Sequence, residues 1–246
     1  MEKLIVIIED AGGDAPFDPA AAVAMLQARI APQVEALTVH IAGRAVRTDL
    51  LERDGDDASA GSLFDGSLYC GISMWVDSAD RAPGIFEQLD FLPGRKTMHS
   101  VVEATVRDYA AMDWAPGSAS PGATLLALFR RKPGMTLEAF RTRWTEHSEL
   151  SLRLHPLVRY HRNLIVHRVQ GEGGDWDGIV EERVGSLEDL APERFYIGEG
   201  ARELASADIA TFIDVEKGMR CNLLTEYILK PPRWLRVGAP GHNAVE

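Results

Sequence analysis

Cysteine is almost missing: Cys70 and Cys221 are the two in 246 residues. Both fall in apolar, strand-like runs, so they are expected as buried free thiols of a reducing compartment, not as a disulfide. Long apolar runs are missing too, and nothing reaches the length that spans a bilayer. The opening MEKLIVIIED has an apolar core of five residues and then two acids, which does not read as a secretory signal. A cytoplasmic chain is therefore expected. Positive charge is scarce: 26 Lys and Arg stand against 37 Asp and Glu, a net charge of −11. That balance argues against nucleic acid or an anionic membrane as partner. Signatures of several chemistries are missing as well. GEGGDW at 171–176 has glycines but neither a lysine nor a helix start, so it is no phosphate cradle. No G-x-S-x-G elbow occurs for a Ser-His-Asp triad. No helix carries two histidines four apart, and His161 and His167 lie roughly 20 Å apart along a strand. No metal site is expected.

What is present is enough for a core, since apolar residues make up 46% of the chain. Lys3–Ile8 is a β-branched run, a strand by length and pattern. Asp18 with Pro19 opens a helix marked by Ala22, Leu26 and Ile30. Strands are expected over Leu37–Val46, Ser67–Val76 and His99–Tyr109. The acidic, small-residue segment Arg53–Gly61 reads as a loop, and Ser78 to about Gln88 as a short helix. Asp113–Gly122, DWAPGSASPG, reads as a linker. The order then begins again, with strands over Ala123–Arg130, Val158–Arg168, Gly178–Val184 and Met219–Leu229. A helix follows the first of these, and a capping box at Ser186 and Asp189 opens a second helical region. Both halves place a Gly-Ile at the third strand, Gly71-Ile72 and Gly178-Ile179.

Each half thus has the order β-α-β-β-α-β of the ferredoxin-like unit. The expected fold is α+β: two tandem ferredoxin-like units whose open sheet faces cover one another in an intrachain pseudo-dimeric α+β barrel. The expected boundaries are 1–112 for a scaffold repeat, 113–122 for the linker, 123–230 for the repeat that carries chemistry, and 231–246 for a tail packed on the surface through Trp234 and Leu235, its last residues loose.

The most informative stretch is Thr136–Leu154. Thr136 is a good N-cap, and Glu138 sits where the helix dipole favours an anion. Leu137, Phe140, Trp144, His147, Ser151 and Leu154 share one helical face, with Arg141, Arg143, Thr145 and Glu149 opposite. His147 is therefore expected in a buried stripe, where an ionisable ring needs a hydrogen-bond partner. Four of the seven histidines lie at 147, 155, 161 and 167, and an unperturbed pKa of about 6.5 suits histidine to proton transfer near neutrality. On the strand Val158–Arg168, His161, Asn163, Ile165 and His167 share one face and Tyr160, Arg162, Leu164 and Val166 the other. Tyr160 and His161 are thus rival partners for His147, and parity does not choose between them. His155, before Pro156, reads as a turn residue. Glu181 and Glu182 alternate, so one faces the helices, and Glu226 is a similar candidate. A carboxylate beside a histidine would fix its tautomer and raise its pKa.

LLALFRRKPGMT, LEAFRTRWTEHSEL, VRYHRN, DGIVEERVGSLEDL, FIDVEKG and the closing EYIL agree in order and spacing with the EthD family of the dimeric α+β barrel superfamily. The second half, about Thr124–Leu229, resembles that family; the first half resembles the superfamily in element pattern only, with Arg29 or Ile30 where the second half has His147. The resemblance implies a pocket between sheet and helices and cofactor-free chemistry on aromatic or polyketide-like compounds. With the residues above, it leads to a lyase of the decarboxylase or dehydratase type, with His147, His161 and Tyr160 as catalytic candidates. Trp144, Phe129, Arg159, Asn163 and Glu182 are the candidates for substrate binding, and Phe195, Tyr196 and Phe212 for further apolar walls. The small-molecule partner is aromatic, no cofactor is needed, and homodimerisation stays open. Two rival readings remain: a haem-binding protein with one axial histidine, since some members of the superfamily bind haem there, and a non-catalytic aromatic binder.

Overall fold

The β-branched run near the N-terminus forms strand β1, Glu2–Glu9, and its neighbours show why it is apolar on both faces. In the computed structural model β1 lies in an eight-stranded closed antiparallel barrel, between β3 and β4. The structure describes residues 1–9, 18–42, 68–215 and 217–238. The elements in chain order are β1, α1 (Pro19–Arg29), β2 (Ala36–Ile41), β3 (Leu68–Val76), α2 (Ala82–Glu87) and β4 (Arg95–Arg107). Then come β5 (Ala123–Phe129), α3 (Leu137–Leu154), β6 (Leu157–Gly171), β7 (Gly178–Val184), α4 (Pro192–Phe195), α5 (Ala201–Ile209) and β8 (Met219–Lys230). The expected loop over Arg53–Gly61, the end of the second strand and the last residues of the tail lie outside the described residues.

The barrel order is β1-β3-β2-β8-β5-β7-β6-β4. β4, β1, β3 and β2 are successive neighbours, as are β8, β5, β7 and β6. The two runs join at β2–β8 and β4–β6, both antiparallel. Outside the first run, Leu4, Val6 and Ile8 pack with Leu26 and Ile30 of the α1 segment and Ile85 of α2. Outside the second, Ala127, Phe129, Tyr160 and Val180 pack with Phe140 and Trp144 of α3. Phe140 and Trp144 are buried to 0% and 3% exposure, which is worth about 1.5–3 kcal/mol for a large apolar side chain. Among the described residues no helix is long and apolar enough to cross a membrane.

Several elements differ from the expectation in extent. β4 begins at Arg95, before His99, and β6 continues to Gly171, beyond Arg168. These strands pair with each other along the join, and that tertiary pairing prolongs both. The capping box at Ser186 and Asp189 is present, but it opens a four-residue 3-10 turn, Leu187–Leu190. Leu137 is 43% exposed, so the buried stripe of α3 starts at Phe140.

The barrel interior is half apolar and half charged. Ile5, Ile7, Leu126, Leu128 and Leu224 fill one part. In the other, Lys3 of β1 donates to Glu181 of β7 at 3.3 Å, and Ser73 of β3 donates to the same carboxylate at 2.7 Å. These strands are not neighbours in the barrel, so their side chains meet across its inside. Lys3 also reaches Glu103 at 2.6 Å, and Arg159 pairs with Glu226.

Candidate functional site

The barrel geometry decides which face of β6 meets the helices. The Tyr160 phenol oxygen lies 3.2 Å from Ser148 Oγ of α3. His161, one residue on, points into the barrel, where its Nδ1 faces Glu103 at 2.8 Å and its Nε2 faces Asp108 at 3.6 Å. The expected site residues therefore separate into two groups. His147, Tyr160, Trp144, Phe129 and Glu182 lie between α3 and the outside of the sheet. His161, Arg159 and Asn163 lie inside the barrel, with the sheet between them and His147. His161 is thus no partner of His147. Arg159 is 4% exposed and held by Glu226 and Asp108; it is not a charge waiting at a pocket rim. Asn163 donates to the Ile179 carbonyl at 3.3 Å.

On the helix side, Thr136 caps α3 by accepting from the Ala139 N–H at 3.1 Å. That cap fixes the helix phase and turns His147 and Ser151 toward the sheet. His147 is 7% exposed. Its Nδ1 lies 2.8 Å from Asp208 Oδ2 of α5 and its Nε2 3.2 Å from Ser151 Oγ. The other Asp208 oxygen accepts from Arg143 at 2.9 Å. The His147 ring rests on Phe212, with centroids 5.3 Å apart. Burial holds the imidazole below the usual histidine range, although the Asp208 hydrogen bond and charge oppose this. The ring is therefore neutral at pH 7.

Glu182 of β7 is paired with Tyr160 of β6 on the same outer face of the sheet. Burial raises its carboxyl to about 7, against the Ser151 and Tyr160 hydroxyls, which lower it. Glu182 also lines a small, partly enclosed cavity of about 10 Å³, room for about one water. Leu125, Leu157, Val184, Leu190, Phe195 and Leu223 line it with Glu182. His155 accounts for the position of Phe195: its Nδ1 bonds the Phe195 carbonyl at 3.0 Å and its ring stacks on the phenyl at 4.4 Å. It sits in the turn between α3 and β6, as expected, and is a buried anchor there, 7% exposed. A larger hollow of about 550 Å³ lies at the start of α3, but it is open to solvent, and Arg131 is paired there with Asp177 at 3.3 Å.

Asp208, His147 and Ser151 have the connectivity of a catalytic triad. They do not make an acyl-transfer site. Ser151 is 2% exposed inside a helix, where neighbouring backbone N–H groups are committed to helical bonds and leave no oxyanion donors. Haem does not fit either: both ring nitrogens of His147 have partners, and the cavity beside Glu182 admits one water.

The structure is an α+β protein: a closed eight-stranded antiparallel barrel with the cluster Asp208, His147, Ser151 between α3 and α5 on its outside. An EthD domain lies at residues 132–216, which covers α3 through α5 but less than half of the chain. No curated protein matches the sequence. Among solved structures, a candidate monooxygenase of Fusobacterium nucleatum subsp. nucleatum is similar at 8% identity and TM-score 0.54, over 98% of both chains. An anthrone oxidase-like protein is similar at 13% identity and TM-score 0.52, over 94% of both chains. At these identities the likeness concerns the fold.

Proposed function

We propose that the chain is an enzyme acting on a hydrophobic aromatic or polyketide-like compound by acid–base chemistry in the seam between α3 and the sheet, as a decarboxylase or dehydratase. The observation that carries this reading is the raised carboxyl of Glu182 at an apolar cavity, with the hydrogen-bonded line Asp208, His147, Ser151 under the same helix. A carboxyl raised to about 7 exchanges protons efficiently near neutrality. Glu182 is the group that faces the cavity, and Tyr160 positions a substrate oxygen beside it. Phe129 and Trp144, in edge contact at 4.8 Å, stiffen the adjoining wall. An apolar enclosure destabilises a bound carboxylate relative to a charge-dispersed transition state, which favours loss of CO₂. The cavity has room for about one water, so this reading requires Leu190 and Phe195 to move outward before an aromatic ring can enter.

The chain is read here as two fused ferredoxin-like units, 1–112 and 123–230, joined by 113–122. The repeated neighbour order of the strands supports this, as does the pair Gly71 and Gly178. Ile30 occupies the matching end of α1 and is fully buried, which suits a scaffold role for the first unit.

The test is incubation with a panel of hydroxyaromatic carboxylic acids and anthrone-type polyketides, with products read by mass spectrometry. Turnover that falls in Glu182→Gln is expected. Saturable binding without product would replace the enzyme with a small-molecule binder.

A further inference from the structure

We infer that His155 is a positioning residue: it latches a hinged lid, Ser186–Ile197, over the cavity beside Glu182 and so governs the entry of an aromatic ligand. This rests on the reading of that cavity as the site of chemistry and assigns its entrance.

Strands supply most of the cavity wall. Leu125 of β5, Leu157 of β6, Val184 of β7 and Leu223 of β8 cannot withdraw without opening the barrel. Leu190 and Phe195 are the lining residues that lie off the strands. Between Gly185 and Gly200 they are also the two buried residues. The chain that carries them is stitched to itself. Ser186 Oγ accepts from the Asp189 N–H at 3.3 Å, and the Ser186 N–H donates to the Asp189 carboxylate at 3.1 Å. Arg194 donates to Glu188 at 3.1 Å and to Asp189 at 2.9 Å, which clasps the turn Leu187–Leu190 to α4. This body ends at Gly198, with φ +104°, and Gly200, with φ +70°, where an added Cβ would meet nothing within 4 Å. Space does not call for glycine there; the positive φ does. Such residues at an element boundary suit a hinge.

Two ties fasten this body to the end of α3. The Ile197 N–H donates to the Leu154 carbonyl at 2.8 Å. His155 Nδ1–H donates to the Phe195 carbonyl at 3.0 Å. The same ring stacks on Phe195, with centroids 4.4 Å apart and planes 29° apart, and meets the Tyr196 ring edge-on at 5.3 Å. Pro156 explains why the imidazole lies there. A residue before proline takes extended backbone, and His155 stands at φ −130°, ψ 145° as the C-cap that ends α3. Histidine suits the latch because one side chain offers both an aromatic face and an N–H donor. A body fastened in this way opens more readily than a strand leaves the barrel, since no ladder holds it.

The experiment reads hydrogen exchange by NMR in the ligand-free full chain. The Ile197 amide reports the lid, because its bond to Leu154 breaks on opening; the amides of β7 report the barrel. Ile197 should exchange faster than β7. His155→Ala should speed Ile197 by about 10–100-fold, the worth of one hydrogen bond and one ring stack, and leave β7 unmoved. His155→Asn keeps a donor in the place of Nδ1 and should recover part of the protection; it stands in if the alanine variant does not fold. A thiol placed beneath the lid, Leu223→Cys, should react with methyl methanethiosulfonate faster when His155→Ala is added. Equal protection of Ile197 and β7 in the unaltered protein, no rise in His155→Ala, or a rise shared equally by β7 would overturn the inference. On a panel compound that turns over, His155→Ala should lower KM and spare kcat, since a larger open population binds more readily; a fall in kcat with KM unchanged would overturn the latch. A loosened lid without turnover of any panel compound would remove the enzymatic reading and leave the lid intact. Turnover with exchange indifferent to His155 would do the reverse.

Discussion

Replacing Glu182 with glutamine should make the protein more stable at pH 8 and leave the difference small at pH 5. The carboxyl stands at about 7 in the folded chain against an ordinary 4.5. Between those values the folded state holds a proton that the unfolded state has released. Stability therefore falls as pH rises across this window, with a limiting slope of about 1.4 kcal/mol per pH unit. Over the whole shift the loss comes to about 3 kcal/mol, and it is complete above pH 7. Glutamine keeps the shape but has no charge to desolvate. His147 works in the opposite direction. Its lowered pKa costs stability as pH falls below the usual histidine range. That term cancels on subtracting one variant's curve from the other.

The assay is urea unfolding of both proteins at half-unit steps from pH 5 to 8, with the difference in stability plotted against pH. A rise of about 1–3 kcal/mol toward pH 8 is the expected outcome. A flat difference would refute the claim that Glu182 is held protonated by its surroundings. The same substitution should lower turnover, a stabilising change that costs function.

Four further outcomes follow from the geometry. His147→Gln should reduce turnover by ~10²–10⁴-fold, and unchanged turnover in the folded variant would remove the ring from proton transfer. Arg159→Leu removes the guanidinium that pairs with Glu226 and Asp108 inside the barrel, leaving Glu226 to Arg183 and the Tyr109 hydroxyl, and should cost about 3–5 kcal/mol by urea unfolding; a loss under about 1 kcal/mol would contradict the pairing described. Glu103 is pushed up by burial, but Lys3 and His161 overcome this and hold it at about 2. Glu181 and Glu226 are also held below the usual range by neighbouring cations against burial. That stability is present above about 4.5 and disappears as pH falls toward 2, so circular dichroism should show marked acid unfolding below pH 4. At Gly178 an added Cβ would sit 2.8 Å from both the Phe129 and Trp144 rings. Gly178→Ala should therefore cost about 1–3 kcal/mol in thermal unfolding, and a neutral result would mean that the rings can retreat.

Features fixed by local chemistry were legible in the sequence, and features fixed by closure of the barrel were not. The α3 helix, its Thr136 cap and the inward turn of His147 follow from spacing alone, because they depend on residues within a few turns. Asp208 was missed although it holds His147. It lies 61 positions further on, and its only local trace is its place after Ala201 and Ala205 on one face of α5, an acid on an otherwise small, buried stripe. The choice between Tyr160 and His161 was undecidable in principle, since alternation defines two faces without saying what covers each.

The barrel interior gives the sharper lesson. Glu181 and Arg183 flank Glu182 on β7, and Glu226 lies between Thr225 and Tyr227 on β8; such polar stretches read as a solvent-facing set, yet all three are at most 1% exposed. A polar face that closes on itself and one that meets water leave the same period-two pattern. What separates them is the balance of charge within one parity. Lys3, Arg159 and Arg183 face Glu103, Asp108, Glu181 and Glu226 from strands scattered across the chain. In water such groups need no mutual order, but inside a sealed barrel each must find an opposite, and that requirement selects which distant strands can share the interior.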